Sequence, residues 1–216
     1  MEIEVFEGIF DANEELARKN EAGFNAAGLY VVNLMASPGA GKTSLVMQTI
    51  RALRDRLAIA VIEGDIASQV DAEKLKALDI PVVQINTGGA CHLDANMISL
   101  ALPHFDLDSF DLMIVENVGN LVCPAEFRLG ESLKVMILSV AEGDDKPQKY
   151  PLMFSEAHVL IINKIDLLGM GEFDLSKVRE TVTNMNPGIT IFEVSARTGE
   201  GIEAWTEYLY GKVKPA

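Results

Sequence analysis

Cysteine and histidine are scarce in this sequence of 216 residues, which has three histidines and only two cysteines, Cys91 and Cys123. Two distant cysteines exclude a disulfide framework, so we expect a reducing compartment in which both thiols stay available for a metal. No apolar run approaches the roughly 20 residues that cross a bilayer. The acidic start, MEIEVFEGIF, lacks the basic region and apolar core of a signal peptide. We therefore predict a cytoplasmic protein that does not bind membranes.

Positive charge is also in short supply. The chain has 18 Lys and Arg against 32 Asp and Glu, which gives a formal net charge of −14. A field of this sign repels phosphate backbones, so nucleic acid is not an expected partner. A local cradle of backbone N–H groups can still hold one nucleotide, because its field acts over a short range.

What the sequence does contain is a regular alternation of apolar runs and helical patterns. The runs are rich in Val and Ile and apolar on both faces, which is typical of buried parallel strands. They predict seven strands, at 29–35, 57–63, 80–85, 110–116, 133–140, 157–163 and 189–194. Helices are predicted at 42–54, 71–78, 93–102, 177–184 and 201–210. The pattern indicates an α/β fold: an open, mostly parallel sheet of about seven strands with helices on both faces.

The first part of the chain has a different character. The segment DANEELARKNEAGFNAAG predicts a polar, amphipathic helix that lies against the domain or against a partner. We therefore predict two parts: an N-terminal helical appendage at 1–28, and one domain at 29–216.

The clearest motif is ASPGAGKT at 36–43, directly after the first strand and before a helix. That context is what a P-loop requires, because its backbone N–H groups and the positive end of the helix converge on phosphates. Lys42 is expected to reach the β- and γ-phosphates, and the Thr43 hydroxyl to bind Mg²⁺. Ala36 replaces the usual first glycine. The alternative is an ordinary glycine turn before a helix. The predicted phosphate-binding residues are Gly39, Ala40, Gly41, Lys42, Thr43 and Ser44.

Two further motifs predict which base is bound. Asn163, Lys164 and Asp166 form an N-K-x-D motif after the sixth strand, and a carboxylate at Asp166 can accept both N1–H and N2–H of guanine. Adenine offers no such pair of donors, so the wrong base would leave a buried acceptor unpaired. The segment after the last strand resembles the S-A-K loop of GTPases, with arginine in place of lysine. Its residues, Ser195, Ala196 and Arg197, complete the predicted guanine site.

Between these motifs lies a predicted switch segment, Glu116-Asn-Val-Gly119, which corresponds to D-x-x-G. We expect Gly119 to donate to the γ-phosphate, and Glu116 and Asp65 to bind Mg²⁺ with Thr43. The two acids have an alternative as helix caps or solvated side chains. The predicted catalytic residues are Lys42, Asp65, Glu116 and Gly119. Asn120 stands where many GTPases have a water-positioning glutamine, so unaided hydrolysis is expected to be slow.

The two cysteines and one histidine suggest a second metal. Cys91 and His92 are neighbours, and Cys123 lies four residues after Gly119. Thiolate and imidazole suit Zn²⁺ or Ni²⁺ rather than Mg²⁺. Three ligands leave a four-coordinate site incomplete, and a two-fold dimer would complete it. The alternative is two buried cysteines and a surface histidine. His104 and His158 are interpreted as structural.

These residues carry a family resemblance. The segments ASPGAGKT, IEGDIAS, TGGACHLD, ENVGNLVCPAEFRLGE, VAEGDDKPQKYP and NKIDL, in this order, resemble the hydrogenase nickel-incorporation GTPases, the HypB family. The resemblance covers about residues 30 to 210 and implies the SIMIBI class of P-loop NTPases, GTP hydrolysis to GDP, and nickel delivery to [NiFe]-hydrogenase. It implies nickel or zinc at Cys91, His92 and Cys123. It also implies a GTP- or metal-dependent homodimer, with the hydrogenase large subunit and other maturation factors as partners.

Two departures and three alternatives remain at this point. Some relatives bind nickel through an N-terminal cysteine motif or histidine-rich tract, whereas here the first 90 residues have neither residue type. The signature lysine of many SIMIBI proteins is replaced by Ser37. The alternatives are a urease accessory-type nickel GTPase, whose metal motif is Cys-Pro-His, a P-loop kinase acting on ATP, and a non-catalytic scaffold stabilised by zinc.

Overall fold

A parallel sheet of seven strands organises the computed structural model, which describes residues 9–65 and 75–215. The strand order is β3-β2-β4-β1-β5-β6-β7, and every neighbouring pair runs parallel. This confirms the predicted fold class, with a sheet that is wholly parallel. The strands are β1 Tyr30–Ala36, β2 Ile59–Asp65, β3 Val82–Asn86, β4 Leu112–Glu116, β5 Leu133–Ser139, β6 Val159–Asn163 and β7 Thr190–Val194.

The helices cover both faces of this sheet. They are α1 Ile9–Ala26, α2 Lys42–Leu53, α3 Ala95–Ala101, α4 Cys123–Glu126, α5 Lys146–Lys149, α6 Pro151–Glu156, α7 Leu175–Met185 and α8 Ile202–Val213. Short 3₁₀ turns occupy Leu102–His104, Leu107–Ser109, Val140–Glu142 and Ile165–Leu167. Helices α2 and α8 pack on one face, and α1, α3, α6 and α7 pack on the other. Strands β4, β5 and β6 are buried along their whole length because both faces are covered.

Several helix boundaries differ from the predicted ones for local reasons. The helix predicted at 93–102 begins at Ala95, because the side chain of Asp94 accepts from Met97 N and caps it. The helix predicted at 177–184 begins earlier, at Leu175, because Asp174 caps it in the same way. The first half of the helix predicted at 71–78 lies outside the described residues. Helices α4, α5 and α6 were not predicted; they are four to six residues long, too short to show a helical period.

Helix α1 packs against the sheet domain and is held there by polar contacts as well as apolar ones. Ala17 and Phe24 are buried. The buried Asn20 amide donates to the backbone oxygens of Ala95, at 2.9 Å, and Leu129, at 3.0 Å. The exposed face of α1 carries ion pairs between residues four apart, and this polar face opposite the buried one accounts for the amphipathic pattern.

The parallel arrangement determines where a site can form. All seven strands end at the same edge of the sheet, so the segments that follow β1, β2, β4, β6 and β7 converge there. In the described part of the chain, no helix combines the length and apolar character needed to cross a membrane.

Candidate nucleotide and metal site

The start of α2 is open to an anion. Gly41 precedes the helix with φ 99° and ψ 31°, a left-handed conformation that favours glycine, and no side chain caps the helix there. By contrast, α3 and α7 are both capped by aspartates. The first N–H groups of α2 therefore point into a space where a phosphate would complete their hydrogen bonds. Lys42 Nζ lies 3.4 Å from the backbone oxygen of Ser37, folded over the same loop.

A cavity of about 250 Å³ lies beside this loop. The Thr43 hydroxyl donates to Glu116 Oε1 at 2.8 Å, and Glu116 is buried although it is a carboxylate. The structure thus brings together the residues predicted to hold Mg²⁺ from the ends of β2 and β4 and the start of α2. Hydroxyl and carboxylate oxygens are the ligands that Mg²⁺ prefers, so this donor set fits the ion. The lining includes Pro38, Gly39, Lys42, Glu63, Gly64, Asp65, Glu116, Asn117, Val118 and Gly119.

Gly119 rests directly on the phosphate loop. A Cβ added at this position would lie 2.9 Å from Pro38 N and 3.0 Å from Pro38 Cα, which are backbone atoms. The neighbouring backbone is tied to β1, because Asn117 N donates to Leu34 O at 3.0 Å and Asn120 N to Ala36 O at 2.8 Å. The predicted switch segment is therefore in contact with the predicted P-loop.

The predicted guanine residues meet around a second cavity of about 420 Å³. Asn163 organises it: its Nδ2 donates to Ala40 O at 2.9 Å, and its Oδ1 accepts from Lys164 N at 2.8 Å and Ala196 N at 3.1 Å. A Cβ on Gly41 would lie 2.5 Å from Asn163 Nδ2. The loop expected to bind the base and the loop expected to bind phosphate are thus packed as one unit. Gly41, Ser44, Asn163, Lys164, Asp166, Leu167, Ala196 and Arg197 line this cavity.

Asp166 is held as a charged acceptor in this cavity. Ser195 Oγ donates to Asp166 Oδ1 at 2.5 Å, and Arg197 Nη2 lies 2.8 Å from Oδ2. The hydrogen bond from Ser195, supported by the charge of Arg197, keeps the pKa of the Asp166 carboxyl below its usual value. The Lys164 side chain runs along the cavity and donates from Nζ to Gly39 O at 2.7 Å. The six residues predicted from the two base motifs therefore lie together.

Cys91, His92 and Cys123 form a cluster on the same edge of the sheet. One ligand atom from each lies within 4.8 Å of the others. The two sulfurs are 3.2 Å apart, and Cys91 Sγ lies 3.7 Å from His92 Nδ1. Both cysteines are free thiols; Cys91 is exposed, and the other two residues are partly buried. Two sulfurs and one imidazole nitrogen at this separation form an incomplete site for a soft or borderline divalent ion.

The protonation states of this cluster follow from its packing. The hydrogen bond with Cys91, together with burial, raises the pKa of the Cys123 thiol. Burial lowers the pKa of His92, whose ring packs 4.1 Å from the Phe127 ring between centroids. Burial therefore favours the neutral imidazole, which is the form that binds a metal, whereas the Cys123 proton has to leave when a metal binds.

Known proteins match this chain over most of its length. The family described as "CobW/HypB/UreG, nucleotide-binding domain" matches residues 30–193. The chain is 46% identical over 209 residues to "Hydrogenase maturation factor HypB" of Escherichia coli (strain K12), covering 97% of this chain and 71% of that one. The chain belongs to the HypB family. The family is of the P-loop GTPase type and includes nickel-binding hydrogenase maturation factors.

Other HypB proteins match over nearly their whole length. The "Probable hydrogenase maturation factor HypB" of Methanocaldococcus jannaschii is 37% identical over 98% of this chain and 96% of its own. The crystal structure of HypB from Helicobacter pylori in complex with nickel superposes with a TM-score of 0.87 at 37% identity, covering 94% of this chain and 95% of that one. That of HypB from Archaeoglobus fulgidus gives 0.89 at 38% identity, covering 94% and 100%.

Sequence reasoning missed two acids at this HypB-type site. Glu63 is buried and lines the cavity beside Asp65. The two acids are two residues apart on β2, so their side chains point to the same face of the sheet. This spacing was the signal in the sequence that could have identified Glu63. Glu142 accepts a hydrogen bond from Ser37 and, through its other oxygen, one from Ser139 N at 2.8 Å. Ser37, a departure from the SIMIBI signature, thus contacts an acid of its own chain.

The other two histidines lie apart from the metal cluster. His158 Nδ1 accepts from Lys134 N at 2.9 Å at the opposite edge of the sheet, and burial lowers the pKa of His158. His104 ends the 3₁₀ turn after α3.

Proposed function

We propose that this chain is a GTP-hydrolysing metallochaperone that binds nickel, or zinc, and assists nickel insertion into [NiFe]-hydrogenase. The observation that carries the proposal is the Cys91–His92–Cys123 cluster, because it joins a soft-metal donor set to a guanine-type P-loop site. The crystal structure of HypB from H. pylori was solved in complex with nickel, which supports the choice of ion.

For the nucleotide, the proposal assigns a role to each group in the two cavities. Asp166 accepts the N1–H and N2–H of guanine, and the Ala196 N–H meets O6. The N–H groups of α2 and the Lys42 ammonium neutralise the phosphates, and Gly119 N–H contacts the γ-phosphate. Thr43, Asp65 and Glu116 would hold Mg²⁺, which would supply positive charge to neutralise the phosphates.

Hydrolysis without a partner is expected to be slow. Asn120 follows Gly119, and its amide is engaged at both ends: Nδ2 donates to Cys91 O at 3.2 Å, and Oδ1 accepts from Val122 N at 2.8 Å. This side chain is therefore not available to orient an attacking water as a glutamine would.

For the metal, three ligands on one chain leave room for a fourth. A two-fold homodimer would bring the same exposed cluster from each chain to a shared interface and complete the coordination. Because Cys123 lies only four residues after Gly119, the last residue of the switch segment, we propose that nucleotide state and metal affinity are coupled. Nucleotide then changes the metal affinity by the same factor by which metal changes the nucleotide affinity.

The deciding experiment measures three properties of the untagged protein. Phosphate release is measured with GTP and with ATP, nickel and zinc contents are measured with GDP and with a non-hydrolysable GTP analogue, and nickel transfer is followed to a hydrogenase large-subunit precursor. The proposal expects turnover of GTP only, bound nickel, and transfer that depends on Cys91. Turnover of ATP would instead favour a kinase, and zinc binding without any GTP turnover would favour a zinc-stabilised scaffold.

The transfer assay needs a second acceptor protein beside the hydrogenase precursor, because one relative is also named for urease. The relative from Helicobacter hepaticus, 37% identical over 97% of this chain, is named "Hydrogenase/urease maturation factor HypB". Apo-urease offered beside the hydrogenase precursor tests the urease alternative directly. Preferential transfer to urease would overturn the proposed acceptor while leaving the GTPase and metal assignments in place.

A further inference from the structure

The connection between the phosphate loop and the metal cluster runs through one residue that neither motif includes. Asn120 uses its backbone and both ends of its side chain, and each bond reaches a different segment. Its N–H donates to Ala36 O at 2.8 Å, at the first position of the phosphate loop. Its Nδ2 donates to Cys91 O at 3.2 Å, and its Oδ1 accepts from Val122 N at 2.8 Å, next to Cys123.

The segment that carries Cys91 and His92 is held from a second side by Asn117. Asn117 Oδ1 accepts from Leu93 N at 3.0 Å and from Val118 N at 2.9 Å, and its Nδ2 donates to Asn33 Oδ1 at 3.1 Å inside the sheet. Asn117 is completely buried, so this attachment is fixed to the core. Asn120 is only partly buried and directly follows the switch segment, so it is the less constrained of the two attachments.

The two attachments give the cluster a fixed side and a less constrained side. When Gly119 and Asn120 move relative to the phosphate loop, the Cys91 carbonyl and the Val122 N–H are displaced together, because one amide holds both. The two sulfurs are 3.2 Å apart in this arrangement, so a displacement of either segment changes their separation. A hydrogen bond between neutral groups changes with a shift of a few tenths of an ångström, so small loop movements are sufficient.

We infer that Asn120 is a positioning residue that transmits nucleotide state to the metal ligands by tying Cys91 and the residue before Cys123 to the start of the phosphate loop. The inference rests on the proposed coupling between nucleotide and metal and names the residue that carries it. Asn120 is not itself a ligand of the metal and does not contact the nucleotide in this account. It acts through the backbone of Cys91 and Val122 and through a side-chain hydrogen bond to the Cys123 thiol.

The test compares Asn120→Ala and Asn120→Asp with wild type. Alanine removes the side-chain bonds to Cys91 O, to Val122 N and to the Cys123 thiol, and it keeps the backbone bond to Ala36. Aspartate keeps the acceptor for Val122 N and loses the donor to Cys91 O. The matched control is Asn13→Ala, because Asn13 also bridges two segments, donating to Arg128 O at 2.9 Å and accepting from Ala95 N at 2.9 Å, on the α1 side of the molecule.

The primary readout is a coupling ratio: the Ni²⁺ dissociation constant with GDP divided by that with a non-hydrolysable GTP analogue. Wild type and Asn13→Ala are expected to show a ratio about fivefold or more away from one. Asn120→Ala is expected to bring it to within about twofold of one, and Asn120→Asp to an intermediate value. The affinity for GDP without metal should stay the same in all four proteins, which a general folding defect would not allow.

A second readout needs no metal. The rate at which a neutral maleimide alkylates Cys91 and Cys123 in apo protein is expected to depend on nucleotide in wild type and in Asn13→Ala, and not in Asn120→Ala. If both readouts depend on nucleotide in wild type and depend on it equally in Asn120→Ala, the inference about Asn120 is overturned and the proposed coupling is not. A wild type in which neither readout depends on nucleotide would overturn the proposed coupling together with it.

Discussion

Guanine selection should depend on Asp166, and the structure gives a size for the effect. A carboxylate offers about four lone-pair positions, of which Ser195 Oγ and Arg197 Nη2 use two, leaving two for the N1–H and N2–H of guanine. Asp166→Asn replaces one oxygen by an NH₂ group, which is a donor facing a donor. We expect the loss of one charge-assisted bond, about 1.5–3 kcal/mol, which weakens GTP by about 10- to 150-fold.

The assay is displacement of a fluorescent GDP by GTP, xanthosine triphosphate and ATP. Xanthosine triphosphate should gain affinity for Asp166→Asn, because its 2-oxo group accepts from the new NH₂. Arg197 is 74% exposed, so Arg197→Ala should change GTP binding by at most about 1 kcal/mol. The exposed Asp108, before β4 at the opposite edge, provides the control substitution Asp108→Asn, which should have no effect. The assigned base pocket would be refuted if Asp166→Asn bound GTP as tightly as wild type does. It would also be refuted if the variant lost the same affinity for GTP and for xanthosine triphosphate.

Three further predictions concern phosphate, metal and stability. Lys42→Ala should abolish GTP binding or turnover and leave the melting temperature unchanged, because the side chain lies over a surface loop rather than in the core; turnover at the wild-type rate would contradict the P-loop assignment. Nickel affinity in equilibrium dialysis should fall from pH 8 to pH 6, by about tenfold per pH unit for each proton displaced, because the raised pKa of Cys123 keeps that thiol protonated in this range. The double variant Cys91→Ala, Cys123→Ser should not bind nickel. If it still binds nickel, the site lies elsewhere. Asn20→Ala should lower the free energy of unfolding in urea by about 2–3 kcal/mol, because two backbone carbonyls lose their buried donor. A change below about 0.5 kcal/mol would show that these two bonds do not stabilise the packing of α1.

The sheet and the base site were accessible from the sequence because their signals are local. Strand β6 is five consecutive buried residues, VLIIN, and its last residue, Asn163, already belongs to the base motif. The strand pattern and the motif therefore support one another, and parallel pairing brings the motifs to one edge. The adjacency of Cys91 and His92 was visible in the same way, although the sequence could not show that Cys123 lies against them.

What the sequence did not reveal depends on contacts between distant residues. Glu142 meets Ser37 across the sheet edge, and no local pattern marks an acid as the partner of a loop serine. Helix α4 has four residues with a proline second, so it has no period to detect. The contacts of Asn120 were equally hidden. From the sequence, this residue was considered only as a replacement for the glutamine that positions water in many GTPases. Its role depends on backbone groups, which sequence letters do not describe.

The close packing of Gly119 on Pro38 has a consequence for genetics. At Gly64 an added Cβ would meet only side-chain atoms of Leu93, at 2.7 to 2.9 Å. A smaller residue at position 93 is therefore expected to act as an intragenic suppressor of Gly64→Ala. At Gly119 the obstructing atoms include the backbone N and Cα of Pro38, which every amino acid possesses. No single substitution at position 38 removes them. A search for revertants of Gly119→Ala should therefore recover the original codon and no suppressor at position 38.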